Sequence, residues 1–145
     1  MTLLKVATCQ FPVSADIEQN AGWITRQMHE AARQGARVAH FPEDALSGYA
    51  GADFETFTGY DWAALDRATD RIRQSAGELG IWVAIGSAHR FSDVSAPHNS
   101  LYVISDGGEV TDGMTSGSSA APTWITTARA ATSAPGPSTG SSAGR

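Results

Sequence analysis

The residue with the clearest chemical potential is Glu43, in the run Phe41-Pro42-Glu43 directly after a predicted strand. In open α/β sheets ligands bind outside the carboxyl ends of the strands, so a carboxylate here would face the usual binding edge. We expect its aromatic and apolar neighbours to desolvate it and raise its pKa toward neutrality, as a general base requires. Position alone leaves open a solvated loop carboxylate or a helix cap.

Other reactive side chains give weaker indications. Cys9, the single cysteine, lies in a predicted strand, where a buried thiol acts as a small apolar group. The alternative is a nucleophile paired with a histidine. The four histidines show no metal-ligand spacing, and we expect them to be structural. They are His29 on a helix surface, His40 in a strand, and His89 and His98 flanking a loop, where His98 could line a pocket.

Glu43 and Asp44 also form an acid pair, which suggests glycoside hydrolysis as another chemistry. That reaction needs two carboxyl groups on opposite sides of one bond. Adjacent residues on a turn rarely meet this condition, so this hypothesis ranks low.

Alternating strands and helices are predicted to position these residues, which indicates an α/β fold class. Asp16 is the expected N-cap of the first helix, and Gly35 and Gly80 fit the left-handed positions that end the two helices. The predicted elements are strand 5–11, a helix beginning after Asp16, strand 37–41, helix 61–79, strands 81–86 and 99–104, turn 106–109, and a strand beginning at Val110.

Composition excludes several classes of function. Fifteen acidic against ten basic residues give a formal charge of −5, which argues against a nucleic-acid-binding surface. No apolar run is long enough to span a membrane, and the N-terminus does not resemble a signal peptide. The single cysteine can form no internal disulfide, so we expect a cytoplasmic protein in a reducing compartment.

The composition changes after Asp112. All fifteen acids lie at or before this residue, and the remainder consists almost entirely of Ser, Thr, Ala, Gly and Pro. Such a segment buries too little apolar surface to offset its chain entropy. We therefore predict a folded domain over 1–112 and a disordered, low-complexity tail over 113–145.

Several motifs in order resemble the nitrilase superfamily, the carbon–nitrogen hydrolases. The resemblance covers roughly Lys5 to Val110, and a minor departure within it is His98, where the family usually has Tyr. The matching segments are Gln10-Phe11-Pro12, the helix start Asp16-Ile17-Glu18-Gln19-Asn20, Gly35-Ala36 followed by Phe41-Pro42-Glu43, Ser47-Gly48-Tyr49, Ile85-Gly86 and Asn99-Ser100-Leu101.

The resemblance implies the N-terminal half of an αββα sandwich and a Glu–Lys–Cys triad. In such a triad the thiol attacks an amide or nitrile carbon, the carboxylate is the general base, and the ammonium stabilises the oxyanion. Glu43 matches the family's general base, but no Lys follows Lys5 and no Cys follows Cys9. We therefore expect this chain to be inactive. The resemblance implies a small amide or nitrile substrate and no cofactor or metal, and it leaves a homodimer open. The charge and composition, as above, predict no nucleic-acid or membrane partner.

The tail also fits an out-of-frame origin. Codons for Met114-Thr115-Ser116-Gly117 can be chosen so that a one-base shift spells Tyr-Asp-Lys-Arg, which matches the family's Lys segment. We therefore hypothesise that residues from about Gly113 onward are read out of frame. A genuine flexible tail is the alternative, and a non-catalytic binding or dimerisation module is the alternative function.

Overall fold

The computed structural model describes residues 3–90 and 96–115, which form one five-stranded sheet and two helices. The elements in chain order are β1 (Val6–Thr8), α1 (Ile17–Arg33), β2 (Val38–His40), α2 (Trp62–Leu79), β3 (Trp82–His89), β4 (His98–Ile104) and β5 (Val110–Thr115). The predicted α/β class is confirmed.

The first three strands run parallel and are joined by the two helices. Both connections step one strand in the same direction across the sheet, so crossovers of the usual right-handed sense place both helices on one face. The helices pack against each other there, and an ion pair of 2.6 Å between Arg71 and Glu18 joins their exposed sides.

The last three strands form an antiparallel meander. The predicted turn links β4 to β5, where Ser105 N–H donates to the Glu109 carbonyl at 2.8 Å. The strand predicted from Val110 continues to Thr115, beyond the expected domain boundary at Asp112. The rest of the predicted tail, 116–145, lies outside the described residues.

The helix ends match the expected cap at Asp16 and the expected glycines at Gly35 and Gly80, and α2 begins next to residue 61, as the sequence predicted. Asp16 caps α1 by accepting from Gln19 N–H, and Asp61 caps α2 by accepting from Ala64 N–H. Gly35 and Gly80 adopt φ of 77° and 61°, the left-handed values that end helices. Within 3–90 and 96–115, neither helix is long and apolar enough to cross a bilayer.

The sheet has two unlike faces because strand side chains alternate. The helix face, toward α1 and α2, carries the fully buried side chains Ala39, Val83, Ile85 and Ile104. The open face carries apolar side chains that the described residues cover only in part: Val6, Val38, Trp82, Ala84, Leu101 and Val103.

Candidate active site

Glu43 lies where the sequence predicted, just beyond the carboxyl end of β2. Because β4 runs antiparallel to β3, its first residues reach the same edge of the sheet, and the Asn99 side-chain amide donates to Glu43 Oε1. A carboxylate and an amide 56 residues apart in sequence thus form a polar pair at the strand ends.

Among the described residues, none covers Glu43 enough to bury it, and its side chain is exposed. The expected desolvation of this carboxylate is therefore not seen in the described part of the chain. The chain turns at Asp44, which has φ 49°, and it is this neighbouring carboxylate that enters the protein and becomes buried. Sequence reasoning placed both acids on one turn but could not tell which would point inward.

Burial, followed by the charge of Glu43, raises the pKa of Asp44 to about 6, although a hydrogen bond from Ser47 opposes the shift. Ser47 Oγ lies 3.4 Å from Asp44 Oδ1, and the nearby charge of Asp53 adds to the increase in the pKa. Buried Asp44 and exposed Glu43 do not form the opposed pair that glycoside hydrolysis needs.

Gly86 allows the Glu43 turn to lie against β3. A Cβ on this residue would come within 2.6 Å of Asp44 N and of the Pro42 carbonyl oxygen, both backbone atoms. The Leu46 N–H donates to the Gly86 carbonyl at 3.2 Å and continues the pairing where β2 has ended. A side chain at this position would push the loop that carries Glu43 away from the sheet.

Asn20, fully buried in α1, holds the far side of the same loop. Its side-chain amide donates to the Ser14 carbonyl at 2.7 Å and to the Leu46 carbonyl at 3.2 Å, while its Oδ1 accepts from Ser14 N–H. Gly48, at φ 75°, passes so close to Ser14 that a Cβ would lie 2.6 Å from its carbonyl oxygen. The Asn20 side chain of α1 and the Ser14 backbone just before this helix therefore hold the loop in place.

Ser47 locks the loop to β3 and to the segment before α2. Its Oγ accepts from Ala88 N–H at 2.9 Å, and its carbonyl accepts from the Tyr60 hydroxyl at 2.8 Å. Burial, with the charges of Asp44 and Asp61, raises the pKa of Tyr60, so this hydroxyl remains a donor.

A cavity of about 190 Å³ opens beside this loop at the same edge of the sheet. It is lined by Asp44, Tyr49, Ala50, Phe57, Ala88, Pro97, His98 and Asn99. His98 lines this pocket, as the sequence suggested. Asn99 belongs both to the cavity wall and to the pair with Glu43.

The other predicted residues lie outside this site. Cys9 is buried at the end of β1, and desolvation raises the pKa of its thiol, which disfavours the nucleophilic thiolate. His29 is exposed on α1 and His40 is exposed in β2. His89 pairs through Nδ1 with the Tyr102 hydroxyl at 2.6 Å, and burial lowers its pKa.

Within the described part of the chain, no group of three or more His, Cys, Asp or Glu side chains could hold a metal ion. Sequence reasoning did not predict that Asp44 would be buried, or that Ser47 and Asn20 would hold the loop that carries Glu43. Asn20, Ser47 and Asn99 all stood in the quoted motifs, which was the available signal, but their contacts depend on long-range register.

Comparisons with known proteins agree with this fold. The structure resembles an amidase from Nesterenkonia sp., with a TM-score of 0.66 and 20% identity over 82% of this chain and 44% of that chain. A NitN amidase of the same genus gives 0.66 and 20% over 83% and 46% of the two chains. A cysteine-to-alanine variant of the AN1 amidase, described as a member of the nitrilase superfamily, gives 0.66 and 20% over 82% and 45%.

The chain therefore spans less than half the length of these structural relatives. No curated protein sequence matches it significantly. The family model for carbon–nitrogen hydrolases, however, matches residues 5–130, most of the chain. The protein belongs to the carbon–nitrogen hydrolase family.

Proposed function

We propose that the edge of the sheet at Glu43 is the general-base part of a site that hydrolyses a non-peptide amide or nitrile. The observation that carries this proposal is the placement of Glu43 beyond β2, paired with Asn99 beside a cavity and within the stretch that matches the family model. A carboxylate held there can take a proton from a thiol and later from water.

The similar amidases support an amide substrate. One was obtained in complex with butyramide, and in another acrylamide had added to the active-site cysteine of a glutamate-to-glutamine variant. In the proposed reaction a thiolate attacks the amide carbon, ammonia leaves after accepting a proton, and water then releases the acid from the thioester.

The sequence of this chain supplies neither the lysine nor the cysteine of such a reaction after Lys5 and Cys9. We therefore propose that the chain is inactive alone, because removing the nucleophile leaves only binding and electrostatic effects. Purified protein should release no ammonia from a panel of short amides and nitriles, and Cys9→Ala should change nothing. Turnover that survives Cys9→Ala would contradict the proposal of inactivity.

The role of Glu43 can be tested in a protein whose gene is shifted by one base after the Asp112 codon. The shifted frame is expressed to its own stop codon, beyond the 145 residues of this chain. We expect this product to contain the missing Lys and Cys and to hydrolyse an amide, and Glu43→Gln to reduce the rate by about 10²-fold or more. Full activity in Glu43→Gln would refute the base assignment, and stop codons in the shifted frame would refute the frame hypothesis.

The open face favours a second candidate function, a non-catalytic module that binds another polypeptide. Apolar residues such as Val6, which is 50% exposed, lie on this face. Partly uncovered apolar surface of this kind is typical of an interface. Sedimentation should then show a defined dimer, whereas indefinite aggregation would count against a binding module.

A further inference from the structure

The cavity beside Glu43 has one wall whose chemistry the hydrolysis step does not use. Asp44 is 6% exposed and contributes to this wall, and its Oδ1 lies 3.4 Å from Ser47 Oγ. Among the described residues, Oδ2 of Asp44 accepts no hydrogen bond. A carboxylate that is only 6% exposed meets little water, so a ligand that donates a hydrogen bond to it or carries a positive charge would be stabilised there.

The surrounding charges have one sign. Glu43 and Asp53 both act on Asp44 through their negative charges, and no Lys or Arg is among the described residues that line the cavity. The guanidinium of Arg90 lies over the Trp62 ring, which is outside the cavity wall. The imidazole of His98 is the one basic group in the lining.

Aromatic rings complete the wall. Phe57 and Tyr49 line the cavity, and Phe57 is held by edge contacts with Phe54 and Tyr60 at centroid distances of 5.1 Å. The negative face of an aromatic ring attracts a cation, and a carboxylate with aromatic neighbours is a common arrangement for binding an ammonium group. Both observations favour a cationic ligand group.

The volume of the cavity also suits a small cationic ligand. A volume of about 190 Å³ accommodates about six water-sized groups, enough for a short aliphatic chain with a terminal amine. Asn99 lines the cavity and also pairs with Glu43, so the cavity lies next to the expected position of the amide.

We propose that this cavity is the subsite for the acyl side chain and selects amides whose acyl chain ends in a positively charged amino group. Asp44 pairs with the ammonium group, and Phe57 and Tyr49 enclose the methylene groups. This inference rests on the proposed amide-hydrolysing function, because it assumes that the scissile amide lies at Glu43.

The test measures binding, since it must not depend on catalysis. Ligand titrations of the full chain are followed by NMR at about pH 8, where Asp44, with its pKa of about 6, is ionised and the amino group of the ligand is charged. The ligands are 4-aminobutanamide, its uncharged isostere pentanamide, and butylammonium, which lacks the amide. We expect 4-aminobutanamide to bind about fivefold or more tightly than pentanamide, and the preference to shrink as salt is added.

The variant that isolates the charge is Asp44→Asn. Asn keeps the shape and tolerates the left-handed φ of 49° at this position, so the loop should keep its fold. Glu55→Gln is the matched control, because Glu55 is exposed in the same connection and does not line the cavity. Asp44→Asn should bind the two amides equally, while Glu55→Gln should keep the full preference.

The outcomes separate the two proposals. Equal binding of the two amides to the unaltered chain, or a preference that survives in Asp44→Asn, overturns the ammonium subsite and leaves the hydrolase proposal standing. Butylammonium binding as tightly as 4-aminobutanamide overturns amide recognition and leaves the cation subsite. If none of the three ligands binds, both the ammonium subsite and amide recognition are overturned. If Asp44→Asn fails to fold, the salt dependence of ligand binding by the unaltered chain decides whether charge drives the preference.

Discussion

The helix face and the open face of the sheet have similar apolar composition but very different surroundings. Val83 and Ile85 on the helix face are fully buried by α1 and α2, whereas Leu101 and Val103 on the open face are only half-buried. The chain thus completes one side of its sheet with its own helices. Because the aligned part of this chain covers only 44% of such a structural relative, the other side corresponds to a surface that a longer polypeptide could cover.

The largest expected effect comes from comparing two side-chain truncations on neighbouring strands, one on each face. Ile85→Ala should lower the free energy of unfolding by about 3 kcal/mol, since it leaves a cavity in a close-packed layer. Leu101→Ala, which removes a similar volume from the open face, should cost about 1 kcal/mol or less. Urea unfolding measures both, and equal losses would show that the open face is packed in solution.

A second test concerns the attachment of the Glu43 loop to the helix layer. Asn20→Ala should cost about 2 kcal/mol, because the part-buried carbonyl of Ser14 and the buried carbonyl of Leu46 would lose their donor. Gln19→Ala, at the exposed neighbouring position, should cost about 0.5 kcal/mol or less. Loss of the NMR signals of the 42–48 loop with little change in stability would show that Asn20 acts on the loop alone.

A third, smaller effect is the pH dependence that Asp44 adds. Its pKa is raised to about 6, so the folded state holds a proton that the unfolded state releases near pH 4. Stability from this group is present below about pH 4 and is lost as pH rises through about 6, by about 1 to 2 kcal/mol. Asp44→Asn should remove this slope, and an unchanged slope would assign the effect to other groups.

The smallest effect is expected at the ion pair between the helices. Arg71 and Glu18 lie 2.6 Å apart but are both exposed, so water and salt screen their attraction. Glu18→Gln should change the free energy of unfolding by about 0.5 kcal/mol or less. A larger loss would mean that α1 and α2 depend on surface charge as well as on their buried residues.

Local chemistry explains what the sequence could predict. Asp16, Gly35 and Gly80 bound the helices through contacts within a few residues and were found where expected, whereas the sequence placed the start of α2 at about Asp61 without naming that residue as its cap. The position of Glu43 also followed from its neighbours, because a proline after a short apolar strand marks the end of the strand. The strand that begins at Val110 was expected, but its extent to Thr115 was not.

Contacts across the sheet explain what the sequence could not predict. The pairing of Asn99 with Glu43 depends on the register of β3 against β4, in which Ala88 lies opposite Asn99. The burial of Asp44 depends on a left-handed turn and on the absence of a side chain at Gly86. No periodicity or local propensity encodes either feature.

The change from parallel to antiparallel pairing at β3 also has a consequence for folding. The β3–β4–β5 meander joins residues close in sequence, whereas β1, β2 and β3 pair only after the chain has closed two long connections. Closing long loops slows folding, so the meander should gain protection from hydrogen exchange earlier than β1 during refolding. The edge of the sheet that carries Glu43 then forms only when the slower, parallel half docks onto a meander that is already in place.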